Sequence, residues 1–146
     1  MRDRRNEQGT ALVEAVWLVI LLLVPLVYVV VAVFDVQRAS YAVSGAARAA
    51  ARAYSLAPDE ASAPARAKAA AAVALRDQGL SLDEVELRVS CRPTPGNCLA
   101  PGAVIRVDLT HQVRLPLAPS ALGGSAPSFR VESSSAVAYG TYREDR

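Results

Sequence analysis

An uninterrupted apolar segment, residues 15–34, constrains the fold of this chain more than any other feature. It reads AVWLVILLLVPLVYVVVAVF, with no charged residue and one strong helix breaker, Pro25. At about 1.5 Å of rise per residue, a helix of about 20 residues spans roughly 30 Å, the thickness of the hydrocarbon core of a bilayer. The segment therefore predicts a transmembrane helix near the N-terminus, and Glu14 borders it directly.

The length of this segment favours a retained anchor over a cleaved secretory signal. The apolar region of a signal peptide has about 7–15 residues, and the small residues that signal peptidase accepts begin here about ten positions too late. Three arginines, Arg2, Arg4 and Arg5, are packed into residues 1–9, and three more, Arg38, Arg48 and Arg52, are spaced widely after the segment. The two groups are equal in number, so charge alone does not decide the orientation. The close packing of the first group and the disulfide expected for the two cysteines lead us to predict a cytoplasmic N-terminus and a C-terminal part outside the cytoplasm.

The helix is expected to continue past the membrane. Residues 35–54 contain no proline and are mostly alanine, the best helix former, so one helix is predicted from Thr10 to about Tyr54. Residues 1–9 form a polar cytoplasmic leader that is expected to be disordered. In the second half of the helix, small residues recur at every fourth position: Ala42, Ala46 and Ala50, and Gly45, Ala49 and Ala53. This spacing lets another backbone approach closely, and the abundance of alanine explains it equally well.

Residues 55–146 predict a small α+β head domain outside the cytoplasm. A second, short helix is predicted from about Ser62 to Gln78, capped by Asp59 or Ser62 and ended by Gly79 in the left-handed conformation. Alternation of apolar and polar residues predicts three strands, at 84–91, 104–115 and 129–139. Such alternation is typical of an antiparallel sheet with one covered face, and the two helices are the expected cover.

The third strand is the least regular of the three. Its apolar positions share one face, but a run of three serines at 133–135 interrupts them. These apolar positions are Phe129, Val131, Val137 and Tyr139. The segment before this strand, residues 117–128, is rich in Gly, Pro and Ser and is predicted to be a loop.

Cys91 and Cys98 are the only cysteines. Their spacing does not match the two-residue spacing of a redox motif or of half a zinc site. Outside the cytoplasm a disulfide is expected, whereas two free thiols are the alternative in a reducing compartment. The disulfide would close the loop that contains the turn pair Pro95-Gly96 and would stabilise the fold by roughly 2–3 kcal/mol.

Several classes of function find no support in the sequence. The net charge is +2 and the basic residues form no stripe, so a nucleic-acid partner is not expected. There is no nucleophile–base pair and no glycine-rich phosphate loop, and the only histidine, His111, lies on the apolar side of its strand as a structural residue. The sequence therefore predicts a protein that is not an enzyme and has no cofactor or metal site.

Gly9 and Glu14 carry the one recognisable pattern. The block GTALVEAVWLVILLL, preceded by a short basic tail, resembles the start of a type IV pilin or pseudopilin. It resembles most closely the TadE/TadG-like minor pilins of the Flp (tight-adherence) pilus system of bacteria, and the later stretch AARAAAR is similar to the helix of that family. The resemblance implies that a prepilin peptidase cuts after Gly9, which leaves Thr10 as the new N-terminus and Glu14 as the fifth residue.

Two hypotheses about function follow. In the first, the chain is a pilin-like structural subunit at the cell surface whose partners are the membrane, the prepilin peptidase and other pilin or pilus-assembly subunits. The new amine of Thr10 would pair with Glu14 of the same or a neighbouring chain and fix the register between subunits. In the second, the chain is an unprocessed single-pass anchor for an extracytoplasmic binding or sensor module, and Glu14 lies among lipid headgroups without a role in assembly.

Overall fold

The computed structural model describes residues 5–114 and 128–142, with side chains for residues 11–114 and 128–142. The described residues form helices α1 (Arg5–Ser55) and α2 (Ala63–Arg76), a 3₁₀ turn (Leu82–Glu84), and strands β1 (Val85–Arg92), β2 (Val104–Arg114) and β3 (Ser128–Ala138). This layout of a long N-terminal helix, a short second helix and a three-stranded antiparallel sheet confirms the predicted α+β class. The chain divides into two compact units, Met1–Phe34 and Asp35–Arg146, and α1 contributes to both.

The described side chains of the N-terminal unit, residues 11–34, belong to an apolar helix and are almost all exposed. The helix begins at Arg5, earlier than the predicted Thr10, so residues 5–9 are helical and the prediction of disorder is wrong for them. The physical reason is that Arg, Gln and Glu are good helix formers; residues 1–4 lie outside the described part. The most apolar stretch of α1 between Ala11 and Ser55 is not buried. This part of the helix is long and apolar enough to cross a membrane.

The second half of α1 belongs to the core of the head, the unit Asp35–Arg146. One face of it is buried: Ala39, Ala42, Val43, Ala46, Ala47, Ala50, Ala51 and Tyr54. On α2 the buried positions are Ala63, Ala67, Ala71 and Leu75. Because alanine is small, helices of this composition can pack closely against their neighbours. The row of Ala42, Ala46 and Ala50 is therefore covered within the head itself.

The ends of α2 follow the sequence signals closely. The Asp59 carboxylate accepts a hydrogen bond from the Ser62 backbone N–H (2.7 Å), which lowers the pKa of Asp59, and the side chain of Ser62 makes no capping bond. At the other end, Gly79 has φ +74° and the Leu80 N–H bonds back to the Leu75 carbonyl (3.0 Å). This is the Schellman ending, and it confirms the prediction for Gly79 and Leu80.

The sheet has the order β1–β2–β3, with both pairs antiparallel. Its inner face holds the apolar residues that join the core, among them Ile105, Val107 and Leu109, and its outer face is polar. β3 runs without interruption through the three serines because each pairs in register with β2, for example Ser133 with Leu109. The predicted end of β2 at Leu115 and the predicted loop, residues 117–128, lie outside the described residues except for Ser128, which begins β3.

Candidate functional site

The first candidate site is the start of α1, where the predicted cleavage and assembly residues lie. Gly9 and Thr10 belong to the helix, and only their backbone is described. The side chain of Glu14 is exposed. Because Thr10 and Glu14 are four residues apart in one helix, the two positions share a face. The helix therefore places positions 10 and 14 on the same side of α1.

The surroundings of Glu14 are apolar and exposed. Trp17 and Leu18, three and four residues further on, are 67% and 63% exposed. No basic side chain among the described side chains lies within ion-pair distance of Glu14. A carboxylate next to lipid is costly unless a positive group neutralises it. Trp is enriched at the boundary between membrane and water, so Trp17 fits a position near the lipid headgroups.

The second candidate site is the disulfide loop of the head. The Cys91 and Cys98 sulfurs are bonded (S–S 2.08 Å), as expected from the sequence. The loop is held by Glu60, whose carboxylate accepts hydrogen bonds from the backbone N–H groups of Cys98 (3.4 Å) and Leu99 (3.0 Å). The hydroxyl of Tyr54, at the end of α1, donates to the same carboxylate (2.6 Å). We call these four residues the Glu60 clamp.

The Glu60 clamp was missed by the sequence reasoning. Tyr54 is 4% exposed, and this burial, together with the hydrogen bond to Glu60, raises the pKa of Tyr54 well above its usual value. Glu60 follows Asp59 in a turn between two helices, where an acidic residue is usually a helix cap or a solvated side chain. Its partners, Cys98 and Leu99, are about 40 residues later in the chain, so no local pattern announces them.

His111 has a structural environment. It is buried, and its Nδ1–H donates a hydrogen bond to the backbone carbonyl of Glu84 (2.8 Å). The Glu84 carboxylate in turn accepts bonds from the N–H and hydroxyl of Ser81 (both 2.9 Å), which lower the pKa of Glu84. These contacts tie the 3₁₀ turn to β2. The placement agrees with the structural role expected from the sequence.

The outer face of the sheet is open and polar. Each strand contributes one arginine–carboxylate pair from residues two apart: Glu86–Arg88 on β1, Arg106–Asp108 on β2 and Arg130–Glu132 on β3. All six side chains are at least 40% exposed, so each pair contributes little to stability. Among the described side chains, no group of three or more His, Cys, Asp or Glu residues could hold a metal ion.

Comparison with known proteins adds no relative. No protein-family model, no curated protein and no solved structure matches the chain. The exposed apolar part of α1 and the position of Glu14 are therefore the features of this chain that bear most on its function.

Proposed function

We propose that the chain is a minor pilin-like structural subunit of the Flp (tight-adherence) type. It is a single-pass membrane protein with a cytoplasmic N-terminus and an extracytoplasmic head, trimmed after Gly9 and assembled with other subunits through α1. The observation that carries the proposal is the exposed apolar surface of α1, which starts at a single carboxylate, Glu14, five residues after Gly9.

The apolar part of α1 supports lateral assembly as well as anchoring. Large apolar side chains are exposed all around it, for example Leu21 (72%) and Leu26 (58%). In the membrane this surface contacts lipid, and in a fibre the equivalent surfaces of neighbouring chains would replace the lipid. Neither state exposes the surface to water, where a patch of this size is unfavourable.

The charge at Glu14 supports trimming after Gly9. While the leader is attached, Arg2, Arg4 and Arg5 hold the N-terminus on the cytoplasmic side. Cleavage removes these three charges and creates one amine on Thr10. At low dielectric that amine stabilises the carboxylate, and when the partner carboxylate belongs to a neighbouring chain the pair fixes the axial register.

The head supports a location outside the cytoplasm. The Cys91–Cys98 disulfide forms and persists in oxidising compartments and is rare in the cytoplasm. This argument also serves the alternative, an unprocessed anchored binding or sensor module. Processing and assembly are therefore the properties that separate the two hypotheses.

Gly9→Asp tests the processing. In cells that contain the prepilin peptidase, we expect the Gly9→Asp protein to stay nine residues longer than wild type. Gln8→Ala, one position earlier, is the matched control and should be trimmed like wild type. Mass spectrometry of the membrane fraction distinguishes the two lengths. Identical lengths for wild type and Gly9→Asp would refute trimming at this site.

Glu14→Ala tests the role of the carboxylate in assembly. We expect this variant to be trimmed but to lose its association with other pilus subunits, measured by their co-purification after cross-linking in membranes. Asp77→Ala, which removes an exposed carboxylate of the head, is the control and should associate like wild type. Normal association of Glu14→Ala would refute the register role.

A further inference from the structure

Among the residues that the structure describes, the two outer strands of the sheet have free edges. β1 has 8 residues and β3 has 11, neither contains a proline, and no strand among residues 5–114 and 128–142 pairs with the outer edge of either. Such an edge exposes unpaired N–H and C=O groups, which can pair with a strand of another chain. Because β1 and β3 are both antiparallel to β2, they run in the same direction.

The charges on these two edge strands are complementary. Along β1, Glu86 precedes Arg88, and along β3, Arg130 precedes Glu132, all on the outer face of the sheet. If β1 of one copy lies parallel to β3 of a second copy, Glu86 can face Arg130 while Arg88 faces Glu132. Adjacent strands lie about 4.8 Å apart, so both opposite-charge pairs are within reach.

The inner face of the sheet is complementary in the same register. Val85 then lies beside Phe129 of the second copy, and Leu87 lies beside Val131. Phe129 is 54% exposed although it points to the apolar side of the sheet. A shallow depression at the edge of β1 is lined by Leu82, Val85 and Leu87 together with Lys68 and Asp83. The pairing would bring the exposed aromatic ring to the apolar residues of this depression.

We propose that β1 of one copy pairs in parallel with β3 of the next, so that the heads of neighbouring copies share one continuous sheet. This is a head-to-tail contact, which repeats from copy to copy instead of closing into a two-fold dimer. It keeps the strands of all copies running in one direction. An antiparallel pairing of β1 with β1 would reverse every second copy.

The charges also select a staggered register. Within one head, Glu86 and Glu132 lie in the same row across the sheet, both beside Thr110. A second copy added without stagger would therefore bring these two carboxylates together, which is unfavourable. A shift of two residues, about 7 Å along the strands, replaces this repulsion with two opposite-charge pairs. The proposal goes beyond the proposed function, because it needs neither cleavage nor a pilus.

Cysteine cross-linking of the full chain in its membrane tests the contact. In the proposed register Ser90 faces Ser134 of the next copy, and both are exposed. The double variant Ser90→Cys/Ser134→Cys should give a ladder of disulfide-linked oligomers on oxidation. Within one copy the two residues lie on strands separated by β2, about 10 Å apart, which is too far for a disulfide.

Two matched variants control the register. Ser90→Cys/Ala136→Cys reports the register without stagger. Ser90→Cys/Ala138→Cys places the second cysteine four residues from its position in the proposed register. Both alanines are exposed on the same face as Ser134. We expect a ladder from the Ser134 variant and only background from the other two. No ladder from the Ser134 variant, or equal ladders from all three, would overturn the proposal.

Charge reversal separates loss of contact from misfolding. In the Ser90→Cys/Ser134→Cys background, Glu86→Arg alone and Arg130→Glu alone should each reduce the ladder to background. The two reversals together should restore the ladder, because opposite charges then face each other again, with the positive charge on β1 and the negative charge on β3. Single reversals that leave the ladder unchanged, or a double reversal that fails to restore it, would overturn the pairing.

Discussion

The Glu60 clamp makes a sharp prediction about stability. Glu60→Ala removes the acceptor for three donors: the Tyr54 hydroxyl and the backbone N–H groups of Cys98 and Leu99. Leu99 is fully buried, and Tyr54 and Cys98 are nearly so. The variant therefore leaves buried donors without an acceptor, which costs more than the loss of the bonds alone.

The expected cost is about 3 kcal/mol in the free energy of unfolding. A hydrogen bond to a charged group contributes roughly 1.5–3 kcal/mol. We assign the low end of that range to each of the bonds from Tyr54 (2.6 Å) and Leu99 (3.0 Å), because Glu60 is half-exposed. The longer bond from Cys98 (3.4 Å) adds little to the free energy of unfolding. A small domain is stable by about 5–15 kcal/mol, so this is a large fraction of the total.

Urea unfolding of the full chain in detergent, followed by the near-ultraviolet circular dichroism of the tyrosines, measures this cost. Glu60→Gln keeps one oxygen for the Leu99 N–H, and its NH₂ can donate to the Tyr54 hydroxyl, so it should cost only about 1 kcal/mol. Glu132→Ala, which removes an exposed carboxylate, should stay within about 0.5 kcal/mol of wild type. A Glu60→Ala protein as stable as Glu132→Ala would refute the clamp.

Three further predictions concern the head. The raised pKa of Tyr54 means that the folded state favours the neutral phenol, so the contribution of Tyr54 to stability is complete below about pH 10 and is lost as the pH rises above it. Tyr54→Phe should therefore flatten the fall of the melting temperature above pH 10. An unchanged slope would contradict the role given to Tyr54. Replacing both Cys91 and Cys98 by Ala should lower the free energy of unfolding by about 2–3 kcal/mol and remove its dependence on reductant, as measured by urea unfolding with and without dithiothreitol. Gly45→Ala should stabilise the helix by about 0.5–1 kcal/mol, because alanine is the better helix former and no atom beyond the local helix lies within 4 Å of the added methyl group. Ala46→Leu, at a fully buried position, should cost about 1–3 kcal/mol. Equal effects of the two variants in thermal unfolding would contradict this description of α1.

The elements with local signals were predictable from the sequence. The end of α2 needed a residue that tolerates positive φ, and Gly79 followed by Leu80 supplied it. β1 and β2 followed from strict alternation, because one side of the sheet faces the core and the other faces solvent. In each case the residues that determine the structure lie within a few positions of one another.

Features that depend on distant partners were not predictable. The serines of β3 look like a break in the strand, yet the pairing with β2 supplies the hydrogen bonds that keep the strand regular. The Glu60 clamp joins residues about 40 positions apart, and its carboxylate has no distinctive sequence context. The small-residue row on α1 left open whether another backbone packs against it, and the structure shows that Ala42, Ala46 and Ala50 are buried within the head.

The N-terminal sequence and intact mass of the protein from its native membrane test the central claim most directly. We predict a chain that begins at Thr10, with Glu14 as its fifth residue, because the leader is removed after Gly9. A chain that still begins at Met1 or Arg2 in cells with an active prepilin peptidase would contradict the pilin-like account and support the anchored module. A chain that begins after Ala46 would show that the apolar segment is a cleaved signal.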